Sequence, residues 1–291
     1  MSPSHIFSPL GGTPQGDTCF STTRDIYLGR EGYLGFHDLA ENWHPVMKKA
    51  TRYRPSYQKF LSELIETEYE RKVEKARLAR IKRAKIPEVL VMETFPFDKQ
   101  PRLKKKLVLD LYDSLQFMQE YQDLIFIGPT GCGKTGLATA FLVHALNEGF
   151  RGLFVDFKDL LNTLHQSQGD YSEGRLMKRF ATYDVLLIDE MGYIAGKKEQ
   201  VPLFFDLMRR RQRGRTTIIT TQLGFDEWGT FLHDPHLTAA LLDRITVNCA
   251  VFNMKDCISI RPKNIVYATS KQQSPDSVNS SNHSEETTKS I

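Results

Sequence analysis

The sequence is short of cysteine and has no long apolar run. Only four of its 291 residues are cysteines, Cys19, Cys132, Cys249 and Cys257, and no two are spaced as CxxC. A chain this long buries enough surface to fold without disulfide staples, so the four read as free thiols in a reducing compartment. A zinc site drawn from His233, His236, Cys249 and Cys257 fits no usual ligand spacing. No stretch reaches the roughly 18 consecutive apolar residues of a membrane span. The first residues lack the basic-then-apolar order of a secretion signal. These absences lead to the expectation of a cytoplasmic protein with no membrane partner. Neither charge sign dominates: 39 Lys and Arg against 35 Asp and Glu leave +4, which permits an anionic partner without requiring one.

Aliphatic content is also missing at both ends. Residues 1–32 mix Ser, Pro, Gly and Thr, and residues 267–291 are almost wholly polar. Neither segment can bury enough surface to offset the entropy of ordering, so both are expected to be disordered. Residues 33–98 read as a small all-helical domain. Within it Tyr57, Phe60, Leu61, Leu64 and Ile65 fall at helical spacing, and Ile86-Pro87 ends that helix. Its first half carries Glu63, Glu66, Glu68 and Glu70; from Arg71 to Lys85 there are eight cations against one acid, Glu74. A solvated face explains this as well as a phosphate-tracking arm does. Lys72, Lys75, Arg80, Lys82 and Arg83 are the candidates for a DNA contact.

Residues 99–266 alternate between apolar strands and helices. Strands are expected at 124–127, 152–156, 185–188, 216–221 and 247–254, with helices at about 134–148, 157–182, 199–213 and 236–243. Alternation of this kind builds a parallel five-stranded sheet flanked by helices, an α/β fold.

The first strand runs into Gly128-Pro129-Thr130-Gly131-Cys132-Gly133-Lys134-Thr135, which fits GxxxxGK[ST]. Glycines let backbone N–H groups curl around phosphate oxygens, and the helix opening near Lys134 adds its dipole. Lys134 is expected to reach the β- and γ-phosphates, and Thr135 to hold Mg²⁺ through its hydroxyl. "VLLIDE" at 185–190 is a second element, a buried strand ending in two carboxylates. Ligands lie at such strand ends in open α/β sheets. Asp189 is the expected Mg²⁺ partner and Glu190 the base that polarises an attacking water. "TTIITTQ" at 216–222 ends in Thr221 and Gln222, polar groups that either cap the strand or touch the γ-phosphate and the water. Arg244 and Arg261 are candidate cations for the γ-phosphate, and such a cation can come from a neighbouring subunit. A second run, Arg209, Arg210, Arg211, Arg213 and Arg215, also suits a DNA patch, although cations at a helix end complement the dipole.

"GPTGCGKT", "VLLIDEMGY", "TTIITTQLGFDEW" and "LLDRI…SIR", in that order, resemble the IstB-like ATPases of the AAA+ superfamily. The resemblance covers about residues 36–263, including the helical front piece. Members are helper ATPases of insertion-sequence transposition, related to DnaC-type helicase loaders. The resemblance implies a P-loop NTPase (AAA+) fold with ATP and Mg²⁺ as cofactors. It makes Gly128–Thr135 the Walker A loop and Asp189–Glu190 Walker B. It implies that Gln222, with Thr221, is a sensor, that Arg244 is a finger given to the adjacent protomer, and that Arg261 is a second sensor. "KDCISIRPK" departs from the family's glycine-containing run, with Asp256 in the glycine's place. The function so implied is ATP-driven homo-oligomeric assembly on duplex DNA, without sequence preference, and hydrolysis that recruits or regulates a transposase. The rivals are a replicative helicase loader, a small-molecule kinase with the same loop, and a non-hydrolysing ATP-dependent clamp.

Overall fold

The computed structural model describes residues 35–100, 103–169, 172–193, 196–212 and 214–260. The two termini expected to be disordered, Arg213 and Arg261 lie outside the described residues. Five strands form: β1 (Asp123–Ile127), β2 (Gly152–Asp156), β3 (Val185–Met191), β4 (Thr216–Thr221) and β5 (Cys249–Asn253). They make one sheet in the order β2-β3-β4-β1-β5, with every pairing parallel. The first strand in sequence after the front helices is thus an interior strand, flanked by β4 and β5. This is the parallel five-stranded α/β sheet that the alternation of strands and helices implied.

Period-two alternation along the strands divides the core into two layers. Leu124 and Phe126 of β1 point to one face, where they meet α6 (Lys134–Asn147) through Leu137, Phe141 and Leu142. Ile125 and Ile127 point to the other, against α7 (Phe157–Gly169), α9 (Val201–Arg211) and α11 (Pro235–Ile245). Burying each such side chain is worth ~1.5–3 kcal/mol. A slip of one residue would exchange the faces of a whole strand, but both faces are buried here. The register is therefore fixed by shape and by the strand ends rather than by polarity alone. Helix α6 is buried along most of its length, from Leu137 to Leu146, because it is sandwiched between the sheet and the front segment.

The front segment supplies α1 (His37–Glu41), α2 (Trp43–Tyr53) and α3 (Tyr57–Arg83), followed in the chain by α4 (Lys105–Ser114) and α5 (Gln116–Gln119) before β1. Ser56 caps α3 by accepting the Lys59 N–H at 3.3 Å. Buried Glu68 accepts the Leu39 N–H at 2.8 Å, pinning α1 to α3. At its far end α3 docks on α6, where Arg80 Nε donates to the Leu146 carbonyl at 2.8 Å, and on β2, whose Phe154 N–H donates at 2.8 Å to the carbonyl of Ala84, the fully buried residue that follows α3. The helical spacing of Tyr57, Leu61 and Ile65 holds, but all three are exposed rather than core; Phe60 and Leu64 are half-buried.

Three boundaries differ from the sequence reading. The stretch 157–182 is two helices, α7 and α8 (Glu173–Thr182), because α7 stops at Gly169 and α8 begins after Ser172. Strand β3 runs on through Asp189 and Glu190 to Met191, and residues 246–248 turn before β5 begins. Among the described residues no helix is long and apolar enough to cross a membrane.

Candidate functional site: a glycine loop beside two carboxylates

The loop leaves the sheet at Gly128, whose N–H donates to the Thr221 carbonyl at 3.1 Å, while Ile127 accepts the Met254 N–H at 2.6 Å. A Cβ at Gly128 would lie 2.8 Å from the Met254 carbonyl oxygen, so the backbone beyond β5 can approach this closely only over glycine. Gly133 caps α6 at φ +96°, a left-handed conformation, and a Cβ there would lie 2.8 Å from the Phe95 ring. From Lys134 onward the helix runs for 14 residues. The N–H groups of its first turn and the positive end of its dipole therefore face the loop. Lys134 Nζ donates to the Pro129 carbonyl at 2.9 Å, folding the ammonium back across the loop.

Thr135, the second residue of α6, reaches the end of β3. Its hydroxyl lies 3.0 Å and 3.2 Å from the two carboxylate oxygens of Asp189. Asp189 also accepts a short hydrogen bond from the Thr220 hydroxyl, which in turn accepts the Glu190 N–H at 3.0 Å. Burial raises Asp189 above the usual carboxylate range; the Thr220 and Thr135 hydroxyls oppose that rise, and Asp156, its register partner on β2, adds to it. Hydroxyl and carboxylate oxygens set side by side are the donors that a hard divalent cation such as Mg²⁺ takes.

Glu190 sits on an irregularity of the ladder. Ile188 pairs with Ile219 and Met191 with Thr221, so β3 carries one more residue than β4 over that span. Glu190 absorbs the extra residue with φ +57°, and its side chain is exposed while both neighbours are buried. A non-glycine residue held at positive φ costs on the order of 1–3 kcal/mol, and a bulge re-aims the side chain it carries.

The remaining expected residues fall into place unevenly. Gln222 follows β4 and donates to the Gly192 carbonyl at 3.1 Å, joining the end of β4 to the turn after β3. Thr221 is buried and accepts the Leu223 N–H at 3.0 Å, a strand-end cap. Arg244 is exposed in the last turn of α11, and among the described residues no hydrogen bond or ion pair joins it to the loop. Two residues went unnoticed in the sequence. Thr220 bridges Asp189 to Glu190; its only signal was a polar side chain at the end of an apolar strand. Gln100 is fully buried behind the loop, where it donates to the Cys132 carbonyl at 3.1 Å, and nothing local marks it.

The two basic runs differ. On α3, Lys72, Lys75, Lys82 and Arg83 are exposed. Arg71 pairs with Asp38 and Glu41, and Arg77 with Glu74. Arg80, half-buried on α6, has its guanidinium committed to the Leu146 carbonyl. In the second run the four described arginines all have partners within the chain. Arg209 and Arg210 both pair with Asp206, at 2.6 Å and 2.7 Å. Arg211 is buried and hydrogen-bonds carbonyls of α8 and β4 and the loop between α8 and β3, and Arg215 donates to the Gly214 carbonyl at 2.7 Å.

Residues 30–268 match the family model described as "IstB-like ATP binding protein". The ATP-binding protein of insertion sequence IS5376 from Geobacillus stearothermophilus is 31% identical over 239 residues, 81% of this chain and 94% of the relative. The ATP-binding protein of insertion sequence IS21 from Pseudomonas aeruginosa is also 31% identical, over 79% of this chain and 86% of the relative. Among solved structures, the DnaC helicase loader is 24% identical with a TM-score of 0.46, covering 54% of this chain and 90% of that one. With the glycine loop and the β3 carboxylates in place and the match spanning most of its length, this chain belongs to the IstB-like ATP-binding protein family.

Proposed function

We propose that the protein is an ATP-hydrolysing AAA+ ATPase that binds duplex DNA and assists the transposition of an insertion sequence. The observation that carries the reading is the contact between the Thr135 hydroxyl and the Asp189 carboxylate at the mouth of the glycine loop. It joins a phosphate cradle to a cation seat, with Glu190 next along the chain.

In this reading the N–H groups of residues 128–135 and the Lys134 ammonium bind the polyphosphate. Thr135 and Asp189 hold Mg²⁺, which when bound neutralises phosphate charge. Glu190, re-aimed by the bulge, accepts a hydrogen bond from the attacking water and holds it in line. Gln222, fastened to Gly192, orients the same water against the γ-phosphate. Arg244 serves the site of a neighbouring protomer, which accounts for its exposure within one chain, and Arg261 supplies a second cation. Head-to-tail contacts of that kind generate rings or open filaments. The segment 33–98 is the arm and 99–266 the ATPase domain. The exposed cations Lys72, Lys75, Lys82 and Arg83 meet DNA phosphates without reading bases. The transposition role and the transposase partner rest on relatives described as insertion-sequence ATP-binding proteins.

The test is phosphate release from MgATP by the full chain, with and without duplex DNA. Faster release with duplex supports the reading. Release that ignores DNA but responds to a small hydroxyl acceptor would mark a kinase instead.

A further inference from the structure

Gln100 lies between the front segment and the ATPase core, and all of its amide hydrogen bonds reach backbone groups far away in sequence. Its Nε2 donates to the Cys132 carbonyl at 3.1 Å and to the Ile258 carbonyl at 2.7 Å, and its Oε1 accepts the Ile258 N–H at 3.1 Å. The amide orientation follows from the partners: turned over, it would set an NH₂ against the Ile258 N–H and an oxygen against two carbonyls. The side chain is fully buried, so no water replaces these bonds.

We propose that Gln100 is a positioning residue for nucleotide binding: it aims the Gly133 N–H into the phosphate cradle by holding the Cys132 carbonyl from behind. The proposal rests on the loop being the phosphate site. The peptide joining Cys132 to Gly133 is planar and trans, so its C=O and N–H point in opposite directions. A donor fixed on the carbonyl therefore sets the direction of the N–H. The preceding peptide is held the same way, since the Gly131 carbonyl accepts the Ile260 N–H at 2.9 Å. Ile260 lies on the segment after β5, and Gln100 ties that segment to the loop through its two hydrogen bonds with Ile258. Two adjacent loop amides are thereby turned outward before any anion arrives. The packing around them agrees, because the Phe95 ring and the Ile260 side chain close on Gly133 from the same segments.

The test uses the full chain and a fluorescent N-methylanthraniloyl-ADP, with AMP and ADP as competitors. ADP carries the β-phosphate that the loop amides cradle and AMP does not, so the ratio of their inhibition constants isolates the loop's contribution. In Gln100→Met, which keeps the length but none of the hydrogen bonds, the preference for ADP over AMP should fall on the order of tenfold. Gln100→Asn, one methylene short, should show a smaller loss in the same direction and serves if the Met variant does not fold. Destabilisation alone lowers the folded fraction and scales both affinities together, leaving the ratio where it was. An unchanged ratio in both variants overturns the positioning role while the site stands. A wild-type chain that does not bind the ADP probe overturns the site and the proposal with it.

Discussion

Arg211→Met separates a structural arginine from a DNA-binding one. The wild-type side chain is 1% exposed and donates to four acceptors: Thr217 Oγ1 at 3.1 Å and the carbonyls of Phe180, Tyr183 and Thr216 at 2.8, 3.0 and 2.5 Å. It ties α9 to α8, to the loop before β3 and to the start of β4. Burial pulls its pKa down to about 9, against the attraction of Asp123. Methionine keeps the apolar stem and removes every donor. Each orphaned buried acceptor costs about 1–3 kcal/mol, but neighbouring losses relax together, so the total should be about 3–5 kcal/mol, as for a broken buried ion pair. At about 2–4 °C per kcal/mol for a domain of this size, the melting temperature should fall by roughly 6–20 °C. The cluster sits at the N-terminal ends of β1 and β4, away from the loop, so nucleotide affinity at low temperature should be unchanged. Circular-dichroism melting and DNA anisotropy at 15 °C together decide it. An unshifted melting curve accompanied by weakened DNA binding would refute the reasoning and restore the second arginine run as a contact.

Three further outcomes are expected. Burial raises the carboxyl of Asp123 to about 7, well above its unfolded value, so the folded chain holds an extra proton between roughly pH 4 and 7. That contribution is full below about pH 4 and lost as pH rises through 7. Asp123→Asn, which can still accept the Thr217 N–H, should therefore be more stable relative to wild type at pH 8 than at pH 5, and parallel urea midpoints would contradict this. Lys134→Ala should lose ATP binding, whereas Glu190→Gln should bind ATP and lose about 10²-fold or more in turnover; undiminished turnover removes Glu190 from the chemistry. Reversing the charge of Lys72, Lys75, Lys82 and Arg83 should weaken DNA binding and flatten its dependence on salt, and an unaltered slope would move the contact elsewhere.

What the sequence made legible was what is local. Strands β1 to β4 stood out because aliphatic runs of strand length end in glycine or polar residues, and the loop because its glycines and lysine are consecutive. What stayed hidden depends on partners distant in the chain. The exposure of Glu190 follows from a register shift against β4, and no property of "VLLIDE" encodes it. Arg211 looked like one of a run of surface arginines because the carbonyls that claim it lie on α8, the loop beyond it and β4. Gln100 binds residues 32 and 158 positions away and belongs to no motif. The cation run on α3 was ambiguous for the same reason: its helix docks by one end, and docking, not composition, decides which cations remain exposed.

The central claim is that triphosphate occupancy is converted into assembly on a double helix. Its most direct measurement is particle mass by sedimentation, for the full chain with duplex DNA and Mg²⁺, with and without a non-hydrolysable ATP analogue. The account predicts large protein–DNA particles only when the nucleotide is present, with Arg244→Ala binding nucleotide yet failing to assemble. A wild-type chain that remains monomeric at saturating nucleotide and duplex would contradict it.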